Sequence, residues 1–205
     1  MKSPLLFLVA LLFANFVQGA TETLFDGKTF AGWEGETAKT WRIVDGAIVG
    51  GSLTEKVPHN EFLSTNKSYK NFDLRLKFRL VGQEGFINAG VQFRSTRIPN
   101  HYEMIGYQAD LGEGYYGSLY DESRRNKVLV AADKQALATT LKLGEWNEYR
   151  IRCEGPRVQL WINGVQTVDY TESDPAVDQS GKIALQIHGG GKAEAWYKDL
   201  VLEPL

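Results

Sequence analysis

Two short stretches of this 205-residue chain carry side chains that an ordinary solvated strand does not need. In GFINAGVQFRS, residues 85–95, Ile87, Ala89, Val91 and Phe93 alternate with Asn88, Gln92 and Arg94. In KIALQIHGG, residues 182–190, Ile183, Leu185 and Ile187 alternate with Gln186 and His188. A strand sends successive side chains to opposite faces of its sheet. The polar faces here would hold amides, a guanidinium and an imidazole, groups that orient a polar ligand through hydrogen bonds.

Histidine can accept and return a proton near neutral pH, and His188 is the first candidate for proton transfer. It stands just before Gly189, Gly190 and Gly191, where a ligand can approach the backbone closely. A plain hydrogen bond to a loop carbonyl is the alternative for its imidazole. His59 and His101 lie in Pro- and Asn-containing loops and read as solvated. Arg94 is placed to hold a carboxylate or a developing oxyanion, or to pair with Asp110 or Glu103 on a neighbouring strand. In YEMIGYQADLG, residues 102–112, Gln108 and Asp110 share a face with Tyr102, and Glu103 takes the other unless a bulge intervenes. Which of the two carboxylates faces the ligand is open at this level. GYYGSLYDESRR, residues 114–125, adds Tyr115, Tyr116, Tyr120, Asp121, Glu122, Arg124 and Arg125. Rings flanked by hydroxyl, carboxylate and guanidinium groups suit sugars. Glu122 and Arg125 read instead as a solvated, salt-bridged hairpin.

Several chemistries lack their residues. No His/Cys cluster has zinc-ligand spacing, and no phosphate-cradling glycine loop or nucleophile-elbow serine occurs. The paired carboxylates of a retaining glycosidase are not supplied by any one strand. No cofactor requirement is evident from these residues.

The elements that must position these groups are strands. TWRIVDGAIVGG turns at Asp45-Gly46 and VQLWINGVQTVDY at Asn163-Gly164, both hairpin signals. NFDLRLKFRLV puts Phe72, Leu74, Leu76, Phe78 and Leu80 on one face and Asp73, Arg75, Lys77 and Arg79 on the other. Only DKQALATTLKL, after Ala132, has room for a short helix. Many short strands without a helical layer predict an all-β, two-sheet antiparallel jelly-roll sandwich. A groove on the outer face of one sheet would carry the polar residues.

Residues 1–19 combine Lys2, an apolar run from Leu5 to Ala14 and small residues near Gly19, the pattern of a secretory signal peptide. The expectation is a β-sandwich domain over residues 20–205, exported to the periplasm or the extracellular space and soluble after cleavage. The formal charge of −2 and the scattered Lys and Arg argue against nucleic acid and acidic membranes as partners. Cys153, the single cysteine, reads as a buried thiol.

LFDGKTFAGW, WRIVDGAIVG, NAGVQFRS, YEMIGYQADLG, YYGSLYDESRR, WNEYRIRCEG, WINGVQTVDY and LQIHGGGKAEAWYKDLVLEPL follow one another in this order. Together they closely resemble the 3-keto-disaccharide hydrolase family, 3-keto-glucoside 1,2-lyase and 3-keto-2-hydroxyglucal hydratase domains. The resemblance implies a concanavalin A-like sandwich and a small carbohydrate substrate already oxidised at carbon 3. The ketone acidifies the carbon 2 proton, its removal expels the glycosidic oxygen, and hydration completes a net hydrolysis. Such a reaction implies His188 as base or acid, and Arg94 with Gln92 or Gln186 at the enolate oxygen. Asp110 or Glu103 would be the second proton-transfer group or a ligand for a divalent ion in place of Arg94. Asn88, Gln108, Tyr116, Tyr120 and Asp121 would bind the sugar. A non-catalytic sugar-binding module and an ordinary inverting glycosidase are the alternatives.

Overall fold

The computed structural model describes residues 19–205, so nearly all of the expected signal peptide lies outside the described residues. The chain runs through β1 (Glu22–Thr23), β2 (Trp33–Glu34), β3 (Trp41–Val44), β4 (Ala47–Ser52), β5 (Glu61–Tyr69), β6 (Phe72–Gly85), β7 (Asn88–Arg97), β8 (Met104–Gly112), β9 (Leu119–Glu122) and β10 (Lys127–Val130). A single helical turn, α1 (Lys134–Leu137), follows. Then come β11 (Asn147–Glu154), β12 (Arg157–Ile162), β13 (Val165–Thr171), β14 (Gly181–Ile187) and β15 (Gly191–Pro204). One sheet is ordered β13-β12-β11-β6-β15-β4-β3, with β1 also on β15, and the other β10-β9-β8-β7-β14-β5-β2. The two antiparallel sheets form a jelly-roll sandwich, as the strand pattern predicts. Among the described residues no helix is long and apolar enough to cross a membrane.

Local sequence accounts for the turns. Asp45-Gly46 and Asn163-Gly164 both adopt positive φ at each residue, the geometry of a type I′ hairpin. Val44 pairs with Ala47 and Ile162 with Val165 on either side. The alternating strands bury the residues their periodicity selects: Phe72, Leu74, Leu76, Phe78 and Leu80 from β6, Ala89, Val91 and Phe93 from β7, and Ile183, Leu185 and Ile187 from β14. Cys153 lies in this core, where burial pushes its thiol up to about 12, so the thiolate is not populated.

Two core tyrosines tie the sheets together beneath the polar face. Tyr197 of β15 reaches across to the carbonyls of Gly90 (3.1 Å) and Gln186 (2.7 Å), which are cross-strand partners on β7 and β14. Tyr149 of β11 donates to the carbonyl of Asp110 on β8 at 3.4 Å. Both rings are fully buried, so neither hydroxyl has water as a substitute partner. Tyr197→Phe is expected to cost about 1–2 kcal/mol in urea unfolding with an unchanged slope. An unchanged midpoint would contradict the anchoring role.

Candidate active site

The outer face of the second sheet is built in rows. One row runs Phe62, Gln186, Gly90, Asp110 across β5, β14, β7 and β8; the next runs Ser64, Ala184, Gln92, Gln108, Tyr120 as far as β9. Gly90 is the vacancy that lets this face organise. A Cβ there would lie 2.6 Å from the Gln108 side chain, so only glycine leaves room for that amide to lie flat on the sheet. Gln108 Nε2 then reaches both Gln186 Oε1 (3.1 Å) and Asp110 Oδ1 (3.3 Å).

Asp110 is buried, and its donors converge on one oxygen. Asn88 Nδ2 (3.2 Å), Gln108 Nε2 and the Leu111 amide (3.1 Å) all donate to Oδ1. Desolvation nevertheless outweighs them and raises the carboxyl to about 7. With Oδ1 occupied as acceptor, the proton belongs on Oδ2. Glu122 of β9 is also raised to about 7, first by desolvation and then by the negative charge of Glu103. Gln186 Nε2 approaches its Oε2 at 3.5 Å.

His188 follows the end of β14. Its amide donates to the Asn88 carbonyl at 3.0 Å, and its Nδ1 lies 2.7 Å from the Gly189 carbonyl. A carbonyl only accepts, so this contact assigns the hydrogen to Nδ1 and leaves Nε2 as the basic nitrogen of the neutral ring. Asn60 supports the same corner: its Oδ1 accepts from the Gly189 amide (3.0 Å) and its Nδ2 donates to Glu103 Oε1 (2.9 Å).

Asn88, Gln108, Asp110, Glu122 and His188 open together into a cleft of about 120 Å³ walled by Phe86, Tyr115 and Tyr120. Phe86 stands edge-on to both Tyr115 (6.2 Å) and His188 (4.7 Å). Acid, base, amide and aromatic groups thus line one small volume. Among the described residues no three His, Cys, Asp or Glu side chains form a group able to hold a metal ion.

The structure separates other expected residues from this cleft. Arg94 falls in a bulge of β7, at φ 49°, which turns it off the polar face. It is 2% exposed and donates to the Lys70 carbonyl (3.0 and 2.8 Å) and to Gln179 Oε1 (2.6 Å). It therefore lacks access to a ligand. Asp121 alternates to the inner side of β9, fully buried, where Arg124 and Arg125 pair with it. Arg125 also bridges to Glu172, which Tyr107 contacts at 2.6 Å. Tyr116 packs on Phe78 and lines a larger, mainly apolar groove of about 1050 Å³ with Leu80, Ile87 and Leu137. Gln92 is on the polar face but sealed at 0% exposure, with neither amide atom hydrogen-bonded. Glu103 sits beside the cleft, held by Asn60, and acts on it through Glu122.

Phe86 has no place in the expected site, and Glu122, expected in a solvated, salt-bridged hairpin, instead lines the cleft with Tyr115. Period two contained the signal for two of them: Phe86 shares parity with Asn88, and Glu122 with Tyr120. The carboxylates that no single strand supplies are brought together by β8 and β9.

A family model described as the 3-keto-alpha-glucoside-1,2-lyase-like domain matches residues 20–203. No curated protein matches the sequence significantly. Among solved structures, a Parabacteroides distasonis protein provisionally named a glycosyl hydrolase is 20% identical, with TM-score 0.68 over 90% of this chain and 94% of its own. The carbohydrate binding module CBM66 of Bacillus subtilis is 16% identical, with TM-score 0.65 over 84% and 95%. A β-1,3-1,4-glucanase from a mouse hindgut metagenome is 10% identical, with TM-score 0.58 over 90% and 98%. At these identities the likenesses establish the fold.

The raised carboxyl of Asp110 has a stability consequence. A folded-state pKa above the unfolded value costs nothing below about pH 4, and the cost grows as pH rises through about 7. Asp110→Asn keeps an acceptor for the three donors and removes the titration. It is expected to leave stability near pH 4 unchanged and to raise it at pH 8 by up to about 4 kcal/mol. Equal effects at both pH values in chemical denaturation would refute the shift.

Proposed function

This chain belongs to the family of 3-keto-α-glucoside-1,2-lyase-like domains, and from that premise we propose that it cleaves 3-keto-glycosides by elimination across carbons 1 and 2, followed by hydration. The observation that carries the reading is the cleft in which two carboxyls near pKa 7 and an imidazole with free Nε2 meet aromatic walls. Its carbohydrate-binding and glycoside-cleaving structural neighbours support a saccharide ligand. The signal-like N-terminus supports export to the periplasm or the extracellular space.

His188 Nε2 removes the carbon 2 proton. The electron pair moves to the carbon 3 oxygen, where protonated Asp110 Oδ2 donates a hydrogen bond to the enolate; burial keeps this acid neutral enough to do so. Asp110 thus takes the part expected of Arg94. When the pair returns, it forms the carbon 1–carbon 2 double bond and expels the glycosidic oxygen, which takes the proton of Glu122. In hydration, Glu122 accepts a proton from water as its oxygen adds to carbon 1, and His188 returns a proton to carbon 2. Asn88, Gln108, Tyr115 and Tyr120 orient hydroxyls, and Phe86 covers the apolar face of the ring.

The likeness to a binding module favours a second reading, a sugar receptor without turnover. The paired carboxyls of β8 and β9 also revive the ordinary glycosidase. One panel separates all three: a glucoside, the same glucoside oxidised at carbon 3, and binding of each. Turnover of the oxidised compound alone is expected. Turnover of the plain glucoside supports the glycosidase, and binding without turnover supports the receptor.

His188→Ala is expected to lower kcat on a 3-keto-glucoside by about 100-fold or more. Since Asp110 and Glu122 act in their protonated forms, kcat/KM should fall as pH rises above about 7. A rate still climbing through pH 9 would contradict the acid roles.

A further inference from the structure

Three rings joined to the cleft through Asn60 and Glu103 have no part in the steps above. Tyr102 is 43% exposed and lies between two imidazoles, with His59 stacked at 4.2 Å and 17° and His101 at 4.3 Å and 31°. His59 is half-buried while Tyr102 and His101 are exposed, and holding exposed rings in a fixed stack costs side-chain entropy that a bound surface would offset. The stack is wired into the site at both ends. The Glu103 amide donates to His101 Nδ1 (3.0 Å), and His59 Nδ1 contacts the Asn60 carbonyl (3.0 Å). Asn60 itself joins the Gly189 amide to the Glu103 carboxylate. A Cβ on Gly189 would come within 2.6 Å of His59 Cα, so the backbone after His188 packs against the backbone that carries one end of the stack.

The placement has a chemical sense. Phe86 and Tyr115 wall the cleft on one side, and its volume of about 120 Å³ leaves little room beyond one sugar ring. Glu122 lines that cleft and also feels the charge of Glu103, which neighbours Tyr102 in the chain. Glu122, the group that protonates the departing oxygen, is thus coupled by charge to the segment that carries the stack.

We infer that the His59–Tyr102–His101 stack is the subsite for the leaving group, and that it selects glycosides whose departing alcohol carries a ring, a second sugar or an aryl group. The inference rests on the 3-keto-glycoside reading. The ring of the departing alcohol lies against the outer face of His101 and the edge of Tyr102, leaving the glycosidic oxygen to Glu122.

The test compares methyl 3-keto-glucoside with 4-nitrophenyl 3-keto-glucoside and a 3-keto-disaccharide. Tyr102→Ala is expected to lower kcat/KM for the two ring-bearing substrates by about three- to tenfold, the equivalent of one aromatic contact, and to leave the methyl glycoside within about twofold. His101→Asn, which removes the ring but keeps an acceptor for the Glu103 amide, should show the same selectivity in smaller measure. Equal losses on all three substrates, or no loss on any, in variants with parental melting temperatures would overturn the subsite alone. A parent that turns over none of the three overturns the function reading and the subsite with it.

Discussion

The active face depends on two hydroxyls that cross the core. Tyr197 and Tyr149 stand on one sheet and bind carbonyls of Gly90, Gln186 and Asp110 on the other. These three residues form a single cross-strand row, of which Asp110 lines the cleft while Gln186 is sealed beneath it. A ladder of backbone bonds fixes strands within a sheet, but it does not fix the height of one sheet over another. The tyrosines do so here, in a dry interior where a missing partner costs more than the bond returns. The position of Asp110 is thereby determined from below by Tyr149 and from above by Asn88, Gln108 and the Leu111 amide.

This support explains how a buried carboxyl persists. Desolvating Asp110 disfavours its charged form, and three donors on Oδ1 do not cancel that penalty. The scaffold bears the cost so that an acid is available at neutral pH. Glu122 reaches a similar value with less burial and with the help of a second carboxylate. Two environments thus raise two carboxyls from neighbouring strands toward neutrality in one cleft. The buried, unpaired amide of Gln92 and the unpaired Oε1 of Gln108 lie on the same face, further polar capacity held at a cost to stability.

Much of the fold was legible because period two and Asn-Gly or Asp-Gly turns are local signals. The faces of β6, β7 and β14 follow directly from alternation, as do both predicted hairpins. Arg94 broke the pattern, since a non-glycine residue at positive φ leaves no mark in the sequence and one bulge reverses a face. Asp121 and Glu122 were legible in principle, because Tyr120 fixes the parity of β9. The sugar-binding role given to Asp121 ignored that parity. Tyr115 and Tyr116 exchange places because the turn between β8 and β9 carries positive φ at Gly112, Gly114 and Gly117, which suspends alternation there. The meeting of Asp110 with Glu122 depends on strand pairing, which no single segment encodes.

The central claim is that the face removes and replaces the hydrogen on carbon 2. Mass spectrometry of the sugar released from a 3-keto-disaccharide in heavy water tests it most directly. Elimination and hydration predict one deuterium at carbon 2, above the exchange seen without protein, in the first turnover. A released sugar that keeps its original hydrogen at carbon 2, with no slowing when that position carries deuterium in the substrate, would mean direct displacement at carbon 1 and would contradict the account.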